Sequence, residues 1–188
     1  EAGRLDLHRN EVDIVGMIEQ LVFMFQIQAQ SKNLDLEFTH EQRLPEHVVA
    51  DNKRLRQVLI NLISNAIKFT QQGTVTIDLK YRNQVAYITV KDTGIGLKEE
   101  DIATITEPFV RIANAEHQTS GSGLGLAITQ ALIHCMGGDL SIESEFGKGS
   151  CFKISLMLPS ARQIEHQPAI TERVVGYHGD SITIMVVD

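Results

Sequence analysis

Two pairs of consecutive strand patterns, near 74 to 81 with 85 to 91 and near 139 to 144 with 151 to 157, restrict this chain more than any other feature of it. Apolar side chains recur at every second position, the period of a strand with one face buried. Gly147-Lys148-Gly149 supplies a turn within the second pair, so the strands read as hairpins. A further strand pattern lies near 34 to 39, and helical periodicity near 13 to 31, 52 to 69 and 123 to 136. Helices segregated from hairpin-like strands indicate α+β layering rather than a doubly wound sheet. A chain of 188 residues with 43% hydrophobic content can bury a core of one domain or slightly more.

The helix expected over 52 to 69 carries a polar stripe. Asn61, Asn65 and Lys68 fall within about 60° of one another on a 3.6-residue repeat. Leu55, Val58, Leu59, Leu62, Ile63 and Ala66 lie on the other side and read as core. The stripe fits a solvated helix face, but asparagine is a poor helix former where Glu, Lys or Gln would serve. Two asparagines one turn apart offer neutral oxygens to a hydrated magnesium ion, and Lys68 offers a point charge to phosphate.

Asp92 ends the strand pattern that starts at Val85 and opens Asp92-Thr-Gly-Ile-Gly. It fits a turn in which the carboxylate bonds its own backbone. It also fits a purine site, where the carboxylate accepts from an exocyclic amine and Gly94 and Gly96 let the backbone approach a flat ring.

Glu107-Pro-Phe-Val-Arg and Gly121-Ser-Gly-Leu-Gly-Leu bracket a polar stretch, 111 to 122, without apolar periodicity, which is expected to be a mobile loop. Gly121, Gly123 and Gly125 lead into a helix built on Leu126, Ile128, Ala131, Leu132, Ile133 and Met136 and closed by Gly137-Gly138. Amides at such a helix start suit phosphate oxygens. The dinucleotide-binding fingerprint requires a strand before its glycines; here a loop precedes them, so that fold fails.

Taken in order, RLRQVLINLISNAIKFT (54 to 70), KDTGIGL (91 to 97), EPFVR (107 to 111) and GSGLGLAITQALIHCMGG (121 to 138) resemble the N box, first glycine box, phenylalanine box and second glycine box of sensor histidine kinases. The resemblance covers residues 10 to 158 and implies the Bergerat fold, a two-layer α/β sandwich whose mixed sheet carries helices on one face. It implies ATP and Mg2+ as ligands, with Asn65 on the metal, Asn61 and Lys68 on phosphates, Asp92 on adenine, and Phe109 with Arg111 in a lid over the nucleotide. Phe69, Gly94, Gly96, Gly121, Gly123, Leu124 and Gly125 complete the implied pocket.

The same resemblance divides the chain. Residues 1 to 9 resemble the stretch after the second helix of the dimerisation and phosphoacceptor domain, and 10 to 159 the catalytic ATP-binding domain. Residues 160 to 180 read as a linker, and SITIMVVD (181 to 188) resembles the first strand of a receiver domain. The implied partners are the kinase's own phosphoacceptor domain and a receiver domain; the implied setting is the cytoplasmic part of an inner-membrane sensor. The net charge of −7 argues against nucleic acid, and no apolar stretch approaches a membrane span or signal peptide. Cys135 and Cys151 fit neither metal spacing nor a disulfide framework and are expected to be reduced core residues. None of the seven histidines stands in the Ser-His-Glu-x-x-x-Pro setting of the family's acceptor helix.

ATPases of the same fold activate water with a glutamate one turn before the magnesium asparagine. Here that position is Asn61, which cannot act as a base. Phosphoryl transfer needs chiefly positioning and charge neutralisation, so a pocket without a base suits a kinase. An ATPase, a serine kinase and a nucleotide-gated interaction module are the alternatives.

Overall fold

In the computed structural model, which describes residues 6–110 and 123–161, capped helices lie against one face of a mixed sheet. Short β1 (Asn10–Val12) pairs antiparallel with β3 (Val48–Ala50). The main sheet has five strands in the order β2-β4-β5-β7-β6. They are β2 (Leu34–His40), β4 (Gly73–Arg82), β5 (Val85–Asp92), β6 (Asp139–Glu145) and β7 (Gly149–Met157). β2 runs parallel to β4 and the other neighbours are antiparallel, as hairpins require.

The alternation in sequence becomes two faces. Val75, Ile77 and Leu79, Ala86, Ile88 and Val90, and Phe152, Ile154 and Leu156 are all buried on the inner face. Register aligns them in rows, with Ile77 opposite Val90 and Val90 opposite Phe152. Lys80, Tyr87, Lys91 and Met157 face outward and are exposed. Asn83 and Gln84 both adopt positive φ, 51° and 64°, the geometry of a two-residue hairpin turn. The expected turn at Gly147 links β6 to β7, with φ of 83° at Gly147 and 118° at Gly149.

Against the inner face pack α1 (Ile14–Ser31), α2 (Asn52–Phe69) and α4 (Gly125–Cys135); α3 (Glu99–Ile102) is a single turn beside β6. On α2 the side expected to be core is buried, joined by Ile67. The end of α4 is a Schellman motif: Gly137, at φ 78°, donates to His134 O and Gly138 donates to Ile133 O, each at 2.9 Å. Two expectations fail here. Cys135 is exposed rather than core, and on α4 the buried stripe is Thr129, Leu132, Ile133 and Met136, leaving Ile128 44% exposed. Apolar content along this helix exceeds what one buried face can hold. No helix among the described residues is long and apolar enough to cross a membrane.

Asp51 caps α2, accepting from Arg54 N at 3.0 Å through Oδ1 and from His8 N at 2.9 Å through Oδ2. Burial alone would raise its pKa, but those amides and the charges of Arg54 and His8 outweigh it and hold the carboxyl below its ordinary value. A depressed folded pKa contributes stability above the unfolded value that disappears as pH falls through the folded one. Asp51→Ala is therefore expected to cost about 1–2 kcal/mol at neutral pH, with the deficit shrinking in acid. Urea unfolding of both proteins across pH checks this; a pH-independent deficit would remove the carboxylate from the cap.

Candidate functional site

One end of α2 and two glycine loops meet at the C-terminal end of β5. Ile95 N donates to Phe69 O at 3.3 Å, so the loop after Asp92 is tied to the last residue of α2. A methyl at Gly94 would overlap that same carbonyl, and one at Gly96 would overlap Glu145 O on the β6–β7 hairpin. Both glycines are thus required by backbone packing, a reason independent of any ligand. Ser144 clamps the loop from the other side, its Oγ accepting from Leu97 N at 2.8 Å and lying 2.9 Å from Ser150 Oγ.

Asp92 is 5% exposed and continues the inner-face row of Val75. Its Oδ1 accepts from Gly94 N at 2.8 Å and from Ser150 N at 3.3 Å. The turn anticipated from sequence therefore forms on one carboxylate oxygen, while Oδ2 takes no donor among the described residues. Burial pushes the Asp92 carboxyl above its ordinary pKa, and the two amides pull against that shift. A buried carboxylate with one oxygen open is an acceptor suited to a single directed N–H donor.

Asn61, Asn65 and Lys68 are partly exposed along one side of α2, as the stripe requires. Asn61 Nδ2 donates to Thr129 Oγ1 on α4 at 2.9 Å. Lys68 Nζ lies 5.2 Å from the ring centroid of Phe69, itself partly exposed. Behind this end of α2, Lys32 Nζ donates to the carbonyls of Ile67, Lys68 and Thr70, satisfying the C-terminal acceptors of the helix.

Phe109 is 74% exposed with φ 66°, and its N–H donates to Gly123 O at 3.1 Å. That bond joins the Glu107-Pro-Phe segment to the start of the glycine-rich turn. Leu124 precedes α4, and its own side chain makes no capping bond to the helix. Arg111, Gly121 and the stretch expected to be a mobile loop lie outside the described residues.

Contacts join Phe69, Asp92 and Gly94 at the C-terminal end of α2, Phe109 to Gly123, and Asn61 to Gly125 and Thr129 at the start of α4; Asn65 and Lys68 lie on α2 between Asn61 and Phe69. Sequence inspection missed Ser150, which acts through its backbone amide, and Ser144 and Thr129. A polar residue at the buried spacing of α4 was the available signal for Thr129.

Residues 50–160 match the family model described as histidine kinase-, DNA gyrase B-, and HSP90-like ATPase. The aerobic respiration control sensor protein ArcB of Escherichia coli strain K12 is 36% identical over 166 residues, spanning 87% of this chain and 21% of ArcB. Sensor protein GacS of Pseudomonas syringae pv. syringae is 37% identical over 169 residues, 87% of this chain and 19% of GacS. The chain thus spans about a fifth of the length of these curated relatives. Full-length ShkA, solved in complex with AMPPNP, superimposes with a TM-score of 0.76 at 34% identity over 85% of this chain and 33% of that one. The nucleotide-free catalytic domain of histidine kinase ThkA gives 0.69 at 27% identity over 82% of this chain and 97% of that one.

Proposed function

This chain belongs to the histidine kinase-, DNA gyrase B-, and HSP90-like ATPase family, and we propose that it serves as the ATP-binding catalytic domain of a hybrid sensor histidine kinase, holding Mg-ATP for transfer of the γ-phosphoryl group to a histidine on a separate domain. The observation that carries this is Asp92, a buried carboxylate with Oδ1 committed to two amides and Oδ2 open, at the meeting point of α2 and the glycine loops. Oδ2 accepts from the adenine amine. The analogue AMPPNP in the ShkA structure is a nucleotide of the same kind.

The phosphates then extend along α2 toward the start of α4. Asn61 and Lys68 would contact them, the amides of Gly123, Leu124 and Gly125 would serve their oxygens, and Phe109 would cover them, with Arg111, which lies outside the described residues, assigned to the same lid by sequence. Asn65 fits a magnesium ligand: its amide oxygen is hard and neutral, the residue is partly exposed, and phosphate and water would supply the remaining ligands of such an ion. When bound, magnesium neutralises phosphate charge. At Asn61 an amide stands where the ATPases of this fold place their base, so the pocket positions phosphate without activating water, which favours a kinase.

The domain divisions follow the same proposal: 10 to 159 serve as the catalytic domain, 1 to 9 resemble in sequence the stretch after the second helix of a phosphoacceptor domain, 160 to 180 read in sequence as a linker, and 181 to 188 resemble in sequence the start of a receiver domain. The partners are the kinase's phosphoacceptor domain and a receiver domain, in the cytoplasmic part of a membrane sensor. Titrating ATP with and without magnesium tests the metal assignment. Asn65→Ala is expected to abolish the magnesium-dependent gain in ATP affinity with an unchanged circular dichroism spectrum; a full magnesium response would place the ligand elsewhere.

A further inference from the structure

The buried hydroxyl of Thr129 has no role in the pocket as assigned above, yet it touches a residue that does. Thr129 is 1% exposed on α4, and its Oγ1 accepts the Asn61 Nδ2 bond at 2.9 Å. The two residues are 68 positions apart and on different helices. The other end of the same carboxamide is also enclosed: Asn61 Oδ1 would lie 2.5 Å from a Cβ at Gly125, the first residue of α4. Gly125 thus leaves room for the oxygen while Thr129 holds the nitrogen.

We infer that Thr129 is a positioning residue that locks the Asn61 carboxamide against the first turn of α4, so that the phosphate-contacting groups of α2 and α4 are presented as one rigid unit. The inference rests on the proposed function, because it assigns the lock to the phosphate end of that pocket. A primary amide is nearly symmetric in shape but not in hydrogen bonding: its nitrogen donates and its oxygen accepts. Without a fixed partner it turns between these states, and a phosphate meets an acceptor as often as a donor. The Thr129 bond removes that freedom before nucleotide arrives, which is the benefit of preorganisation. Because the hydroxyl is buried, water does not substitute for it without opening the α2–α4 contact.

The lock predicts a pattern that general loosening would not give. In the full chain labelled with 15N-asparagine, Thr129→Val is expected to shift the Asn61 side-chain amide resonances and speed their exchange with water. Mg-ATP affinity should fall about tenfold, the scale of one oriented hydrogen bond, while adenosine affinity, which reads only the base end, stays at the wild-type value. Thr129→Ser, which keeps the oxygen, should restore both signals. Gly125→Ala should weaken Mg-ATP similarly, by crowding the oxygen end, and combining it with Thr129→Val should add little, since both act through one carboxamide. Unchanged Asn61 resonances and Mg-ATP affinity in Thr129→Val would overturn the inference, as would equal losses for Mg-ATP and adenosine. Failure of the wild-type chain to bind Mg-ATP at all would instead overturn the proposed function, and the lock's purpose with it.

Discussion

Replacing Asp92 by asparagine is expected to weaken ATP binding about 5- to 150-fold, the range for one lost directional bond in a buried site, without lowering the thermal midpoint of the nucleotide-free chain at neutral pH. The two effects have opposite signs because they come from different oxygens. The substituted amide can keep its own Oδ1 on the Gly94 and Ser150 amides, preserving the turn. Its nitrogen replaces Oδ2 and turns a second donor toward the adenine amine. Stability follows from the raised carboxyl pKa, which has burial as its leading cause. A group whose folded pKa is raised stabilises fully below the unfolded pKa, and that contribution is lost as pH rises through the folded one. At neutral pH the charged carboxylate therefore burdens the fold, and asparagine relieves the burden. Selectivity against GTP should narrow as well, since guanine presents a carbonyl that the wild-type carboxylate repels and to which the substituted amide nitrogen donates. Calorimetry with both nucleotides, beside melting curves, measures all of this. Equal affinities for ATP and GTP in both proteins would remove Asp92 from the base site.

What could be foreseen from sequence was whatever repeats along it. Val75, Ile77 and Leu79 alternate with Thr76, Asp78 and Lys80 over a span long enough to declare β4, and the stripe of α2 declared both its core and its rim. β1 and β3 were invisible because Asn10–Val12 and Val48–Ala50 are too short to show a period and exist through pairing with each other. Glu99–Ile102 is a turn of acidic residues with no apolar face to announce it. The site divides similarly. Asp92 was legible because a carboxylate at a strand end before two glycines has few uses, whereas Ser150 contributes a backbone amide that its residue type does not advertise. The glycines were legible as necessary, but one cause was hidden: Gly94 and Gly96 are hemmed in by Phe69 and Glu145 carbonyls, a tertiary fact. The stripe marks Asn61 as a polar ligand and the resemblance assigns it to phosphate, yet neither announces its bond to Thr129, which joins helices separated in the chain by the whole β4–β5 hairpin.

The central claim is that this pocket delivers phosphate to a histidine on another domain instead of to water. With radiolabelled γ-phosphate ATP and magnesium, the isolated chain should neither label itself nor release phosphate at a useful rate, because position 61 holds an amide that cannot activate water. Mixed with the phosphoacceptor domain of its own kinase, it should label that domain, since the pocket contributes positioning and the acceptor contributes the imidazole nucleophile. The bond formed joins phosphorus to an imidazole nitrogen; the bond broken joins the γ-phosphorus to its bridging oxygen, leaving ADP. A phosphoramidate of this kind is lost in acid and survives base. The account predicts acid-labile, base-stable label on the acceptor domain alone, reduced by Asp92→Asn and Asn65→Ala; label on the isolated chain, or brisk phosphate release without any acceptor, would contradict it.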